Sequence, residues 1–522
     1  MTVPSTLLKA LHPLLKPLYP LLQKPYKDIE QLYQDPIAPQ HKWLKYLLTQ
    51  GAATTYGQKH ILQPTLSYEA FQKRLPIVPY ETLYPFIKET MQGVPNVLWP
   101  GRIRWFAKSS GTTNDRSKFI PMAPETLALN HFRAGRHLFA TYLTHFQDDT
   151  RLLAGKILSI GGSHTISHLS PHARYGDLSA VLIENTPWFY TLFRAPEKTI
   201  ALLPEWHTKV HRMAEAIIGT SITGIAGVPT WTVVLFDEIL KRTGANHILE
   251  VFPDLEVFFH GAVSFTPYEK LFERYLPSPR MRYIEIYNAS EGFFAFQDQP
   301  HTKDMLLLTD HGIFYEFIPI SDWEKGRWEA IPLEAVQTNE VYALVITAPG
   351  GLWRYLIGDT IRFTTTNPYR LRIVGRTRHY INAFGEEVMV ENTDAALQKA
   401  CAETHALIRD YTVAPIYLEA GQRGAHQWLI EFIHPPADLN AFSQILDKAL
   451  QTLNSDYEAK RLGDLALGPP QIVPVPPGTF EQWLAQRGRL GGQNKVPRLS
   501  NTREYVDSIL ALLPDRRDPT RV

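Results

Sequence analysis

The chain has 522 residues, 44% hydrophobic and 20% charged, with 53 basic side chains against 52 acidic ones. Single hydrophobic cores stop growing near ~250–300 residues, so a large domain with at least one smaller one is expected. The cancelling charge provides no bulk attraction for nucleic acid. The single cysteine, Cys401, excludes an intrachain disulfide, so the cytoplasm is the expected compartment.

The chain opens on LLKALHPLLKPLYPLLQKPY, where Lys9, Lys16, Lys24 and several prolines interrupt the apolar runs. No stretch reaches the ~18–20 apolar residues that a membrane helix needs, and no membrane partner is expected. The segment reads as an arm packed on the main domain, with a peripheral amphipathic contact as its alternative. Helical patterning follows in HKWLKYLLTQGAATTYG and SYEAFQKRL. The run IRWFAKSSGTTNDRSKFIPM then predicts a strand, a loop of small residues and a second short strand.

A helix is expected over 124–146, a buried strand at Lys156–Ile160, and further helices at 205–218 and 230–243. Short β-rich runs come next: LEVFFHGA, MRYIEIYNAS, GFFAFQD, DMLLLTD, GIFYEFIPI and EVYALVITA. Helices mixed with mostly buried strands predict an α/β large domain with mixed sheets over 1–376. Beyond Arg376 the pattern changes. Helices at 391–402, 437–452 and 478–487 alternate with strands at 410–418, 427–433 and 471–475, which predicts a smaller α+β domain over 377–522.

Five constellations carry chemistry. Ser109-Ser110-Gly111-Thr112-Thr113, with Asp115, Arg116 and Lys118 behind it, offers exposed N–H and O–H donors suited to phosphate oxygens. It lacks the spacing and terminal Lys-Ser/Thr of GxxxxGK[ST], so it is a different kind of phosphate loop. Tyr287-Asn288-Ala289-Ser290-Glu291-Gly292 follows a strand-like run, where α/β folds place ligands. There a tyrosine offers a face to a purine, and the carboxylate suits Mg²⁺.

Asp359, at the end of WRYLIGD, suits ribose hydroxyls. Gly375-Arg376 and INAFGEE occupy the expected domain junction, and Lys495 stands behind Gly491 and Gly492 on a segment able to swing. Taken singly, each is also what a polar hairpin, a core tyrosine or a solvated lysine looks like. His164, His168 and His172 are spaced four apart, but Gly161, Gly162 and Pro171 break any helix there, so a loop is expected and not a metal stripe. Gly227-Val228-Pro229-Thr230-Trp231 opens a helix, with Trp231 either anchoring it or lining a pocket.

As an ordered set, SSGTT…K, YNASE, WRYLIGD, GR…INAFGEE and the glycine-flanked lysine resemble the acyl-adenylate-forming superfamily. Within it the chain is similar to the Gretchen Hagen family of auxin-responsive acyl acid amido synthetases, in its bacterial branch, over essentially the whole length. The resemblance implies that Ser109, Ser110, Gly111, Thr112 and Thr113 hold the phosphates of ATP, with Lys118 supporting them. It places Tyr287, Ser290, Gly261 and Ala262 at the nucleotide, Asp359 and Arg376 near the ribose, and Glu291 on Mg²⁺. Lys495 would reach the α-phosphate and acyl oxygen during adenylation. Plant members carry a lysine shortly after the ribose aspartate; Glu386 and Glu387 stand near that point here, so no such lysine carries over.

The implied reaction joins a carboxylic acid to an amine, in the first place an amino acid, through an acyl-adenylate. Thioester formation with CoA, loading of a carrier protein and non-catalytic nucleotide binding are the alternatives. ATP is implied to lie in a crevice between the two domains.

Overall fold

The computed structural model describes residues 12–513 except 14–15, 110–117, 162–165, 204–205, 263–264, 266–267, 378–379, 382–385, 387, 417–423, 455–456, 459–460, 462–466, 489–494 and 501. By their contacts the residues form two units. One comprises Met1–Val263 with Leu276–Ile373, the other Ser264–Tyr275 with Val374–Val522. The chain changes unit inside the strand Tyr369–Arg376, and the helix Glu269–Tyr275 groups with the second unit.

A twelve-stranded mixed sheet organises the first unit. Its parallel half runs Arg282–Ala289, Val257–Gly261, Ile222–Gly227, Lys156–Ser159 and Arg194–Ala195. The helices Trp206–Ile217 and Pro229–Thr243 lie in its connections, as buried apolar strand runs between amphipathic helices require. Pro229 opens the second of them at its first turn, and Gly244, with φ of +70°, closes it in the left-handed conformation. The other half is antiparallel and includes the hairpin of Arg282–Ala289 with Gly292–Phe296 and the pair Val341–Ala348 and Leu352–Thr366.

A separate four-stranded sheet pairs Trp105–Ser109 antiparallel with Lys118–Met122 and parallel with Ala173–Gly176. The last of these forms a hairpin with Ser167–Ser170, so exposed His168 and His172 lie on a strand and its turn. His164 lies outside the described residues, and from Ser167 onward the expected loop is therefore a small hairpin. Its pairing partner is some seventy residues upstream, beyond the reach of any local pattern.

The helix expected over 124–146 comprises a π-helical turn, Thr126–His131, followed by an α-helix, Phe132–Phe146. One large core gathers Phe106, Ile120, Tyr287, Phe294, Tyr315, Trp353 and Tyr355 around the inner faces of both sheets.

In the second unit, Leu407–Ile416 and Ala425–His434 pair antiparallel, and Gln471–Val475 joins them in parallel. The helices Val390–Thr404 and Leu439–Leu453 pack together there, with Trp428 stacked on Tyr411 in the core. Among the described residues no helix is long and apolar enough to cross a membrane.

Candidate active site

The strand Trp105–Ser109 pairs with Lys118–Met122 up to the last couple, Ser109 with Lys118. This register brings the two ends of the SSGTTNDRSK segment side by side. Ser110, Gly111, Thr112 and Thr113 lie outside the described residues, as does the side chain of Ser109. Tyr80, first residue of the helix Tyr80–Met91, accepts a hydrogen bond from the Phe119 backbone N–H at 2.8 Å. The Lys118 ammonium lies 5.7 Å from the centre of the Tyr80 ring. Burial raises the Tyr80 hydroxyl above its ordinary pKa, and the negative charge of Glu291 adds to this. Tyr80 thus holds the strand Lys118–Met122 through both its hydroxyl and its ring. Sequence reasoning missed it, since a tyrosine after Pro79 carries no local sign of such a role.

Ser290 and Glu291 form the two-residue turn of the hairpin in which Ala289 pairs with Gly292. Hairpin tips are ordinarily solvated, yet Glu291 is only 7% exposed and Ser290 3%. A single shielded carboxylate suits Mg²⁺, which is commonly held by one or two protein carboxylates together with substrate phosphates. Among the described residues no group of three His, Cys, Asp or Glu side chains could enclose a metal by itself.

Three residues before the turn, Tyr287 donates its hydroxyl to Asp359 Oδ2 at 2.6 Å. Asp359 comes from the long strand Leu352–Thr366. Pairing with Val341–Ala348 is irregular there: Ala343 faces Thr360 and Val345 faces Leu356, so Ile357, Gly358 and Asp359 bulge out of the ladder. Gly358 has φ of +93°, which its missing Cβ permits, and such a bulge re-aims the next side chain. Asp359 sits within a long strand, because pairing with Val341–Ala348 resumes beyond it.

Beside Tyr287 the strand Val257–Gly261 runs parallel, and a Cβ on Gly261 would lie 2.4 Å from the Ile286 carbonyl oxygen. Burial pushes the preceding His260 imidazole down to about 3, so it is neutral. Ala262, with φ of +73°, turns the chain out of the strand.

The arginine of WRYLIGD has a structural task. Arg354 grips Glu316 with two hydrogen bonds, 2.9 and 2.8 Å, and donates to the carbonyls of Leu75 and Gln72. Both charged groups are buried, so this arginine is committed to the protein itself.

In the second unit, the backbone of Arg376 ends the strand Tyr369–Arg376, and its side chain is outside the described residues. Lys495 is exposed. The stretch behind it is stitched to Leu407–Ile416: Thr412 donates to the Pro497 carbonyl, and Val413 N–H to that of Arg498. Half-buried Arg498 pairs with Asp410, donates to the Tyr268 hydroxyl at 2.8 Å and lies over the Tyr411 ring. Glu386, in the INAFGEE run, is fully buried against His426 Nε2 at 2.8 Å. Trp231 is buried.

Three models of one family match the chain: the GH3 family N-terminal domain over residues 25–281, the central domain over 306–376 and the C-terminal domain over 391–504. The indole-3-acetic acid-amido synthetase GH3.6 of Arabidopsis thaliana is 23% identical, with 88% of each chain covered. A second synthetase of that plant, GH3.4, is 22% identical over 89% of each. Among solved structures, the GH3.15 acyl acid amido synthetase superposes with a TM-score of 0.77 at 17% identity, covering 93% of this chain and 95% of that one. A 2-hydroxyisobutyryl-CoA ligase in its postadenylation state gives 0.58 at 14% identity, covering 90% of each. At these identities the structural likeness establishes a shared fold.

Proposed function

Because the chain belongs to the GH3 family, we infer that it is an ATP-dependent, AMP-forming ligase that activates a carboxylic acid and transfers the acyl group to an amine. An amino acid is the acceptor this reading favours. The observation that carries it is the 2.6 Å contact between Tyr287 and Asp359, which joins two nucleotide-type motifs 72 positions apart.

In this reading Tyr287 lies beside the adenine, next to the close approach that Gly261 allows. Asp359 accepts hydrogen bonds from the ribose hydroxyls. The Ser109–Thr113 segment and Lys118 receive the β- and γ-phosphates. Mg²⁺, when bound, neutralises phosphate charge, and Glu291 is the side chain that would hold it. A carboxylate oxygen of the acid attacks the α-phosphorus, and the bond to pyrophosphate breaks. Lys495 reaches the α-phosphate and the acyl oxygen in that step. The amine then attacks the acyl carbon, and AMP leaves with the former carboxylate oxygen. Positioning and charge neutralisation supply most of the acceleration, since the first half needs little proton transfer.

The test is acid-dependent exchange of labelled pyrophosphate into ATP, with a panel of aromatic and aliphatic acids. Exchange that needs an acid supports the ligase; ATP binding with no exchange under any acid leaves a nucleotide-binding protein. Adding amino acids or CoA then separates the acceptors by which one raises AMP output. The CoA reading merits that arm because a CoA ligase shares the fold.

A further inference from the structure

The π-helical turn Thr126–His131 follows the phosphate-loop hairpin at a distance of four residues. π-turns are rare and occur often at functional sites. This one touches three other segments of the first unit. Thr126 donates its hydroxyl to the Pro349 carbonyl at 2.9 Å, in the turn that leads into the strand bearing Asp359. Leu129 packs against Gly312, where a Cβ would lie 3.4 Å from it.

Asn130 makes the most specific contacts. Its amide oxygen accepts the Phe293 backbone N–H at 2.6 Å, and its amide nitrogen donates to the carbonyls of Phe293 and His311 at 3.1 and 3.0 Å. Phe293 stands two residues after Glu291, where the hairpin ladder is irregular. The buried Asn130 amide therefore takes the part of a neighbouring strand, satisfying both polar groups of the Phe293 backbone. On the other strand of the same hairpin, Asn288 is the polar neighbour of His131, whose imidazole is fully buried and held neutral, down to about 4, by that burial.

Resting on the ligase reading above, we propose that Asn130 is a positioning residue for adenylation, fixing the Glu291 turn relative to the phosphate-loop strands. The physical basis is short reach. Glu291 stands on the two-residue turn two positions before Phe293, so a displacement of that turn by a fraction of an ångström would misplace the carboxylate for Mg²⁺, which tolerates little distortion.

The experiment compares wild-type enzyme with Asn130→Ala. It measures the affinity for a non-hydrolysable ATP analogue by calorimetry, once with Mg²⁺ and once with EDTA. Loss of a group bonded directly to a metal ligand commonly costs about 10–100-fold in metal affinity or activity; Asn130 acts on Glu291 only through the Phe293 backbone, so the Mg²⁺-dependent gain in affinity is expected to fall by the lower figure, about tenfold. Affinity in EDTA should be unchanged. Amide hydrogen exchange at Phe293 should quicken in the same variant. Should Asn130→Ala fail to fold, Asn130→Asp replaces it: it keeps the acceptor for Phe293 and loses both donations. A folded variant that retains the whole Mg²⁺-dependent gain overturns the positioning role. Absence of acid-dependent exchange in the wild type overturns the ligase reading instead, so the two failures are distinguishable.

Discussion

At the scale of single residues, the contact between Tyr287 and Asp359 makes a specific demand. A hydrogen bond to a charged group contributes about 1.5–3 kcal/mol. Tyr287→Phe keeps the ring and loses the bond, so its KM for ATP should rise roughly tenfold while kcat falls less, a split that steady-state kinetics resolves. Lys495→Ala should behave differently. Removing a group that stabilises developing charge costs about 10²–10³ in rate, and the loss should appear in pyrophosphate exchange but not in amide formation from pre-made acyl-adenylate.

Buried Lys209, bonded to the Gly161 carbonyl at 3.1 Å, has its pKa lowered to about 8, chiefly by desolvation, with Asp177 opposing the change. A lysine whose folded pKa lies below its unfolded value binds fewer protons when folded, so it weakens the fold at neutral pH. That penalty is relieved as pH rises from about 8 towards the ordinary lysine value of 10.5. Thermal melts between pH 7.5 and 9.5 should therefore climb in the wild type relative to Lys209→Met; parallel curves would count against it.

At the scale of elements, close approach and buried charge set the costs. Alanine at Gly261 would place its Cβ 2.4 Å from the Ile286 carbonyl oxygen, forcing apart the strands Val257–Gly261 and Arg282–Ala289, the second of which bears Tyr287. Overpacking of that kind costs about 1–3 kcal/mol, and the loss should be seen in denaturant midpoint together with a higher KM for ATP. Glu316→Ala would strand the buried Arg354 guanidinium. Breaking a buried pair costs about 3–5 kcal/mol, so urea unfolding should shift far more for this change than for loss of an exposed pair such as Arg212 with Glu215.

Much at this scale was legible in the sequence, because periodicity is local. The helix Pro229–Thr243 and the strand Gln471–Val475 fall where apolar spacing and proline placement put them. Three features were not legible. The π-turn at Thr126–His131 depends on bonds to Pro349, Phe293 and His311, far along the chain. Ala173–Gly176 becomes a strand through parallel pairing with Trp105–Ala107. Leu352–Thr366 continues through Gly358 because a bulge absorbs the misfit. Tyr80, which meets Lys118 and the Phe119 backbone, was hidden for the same reason: proximity in space leaves no mark on neighbouring residues.

At the scale of the whole molecule, the proposed chemistry is divided between the two units. Tyr287, Glu291 and Asp359 belong to the first, Arg376 and Lys495 to the second. Ser264–Tyr275, which continues the chain after Ala262, groups with the second through contacts such as Tyr268 with Arg498. A residue assigned to the nucleotide thus lies two positions from a segment bound to the stretch that carries Lys495. In the proposed reaction a carboxylate becomes a mixed anhydride with AMP before its acyl group is transferred. The most direct measurement starts from an accepted acid labelled with ¹⁸O in its carboxylate and follows the label by mass spectrometry through amide formation. One labelled oxygen in the AMP phosphate for each amide formed is the result predicted; label in inorganic phosphate, or AMP free of it, would contradict the account.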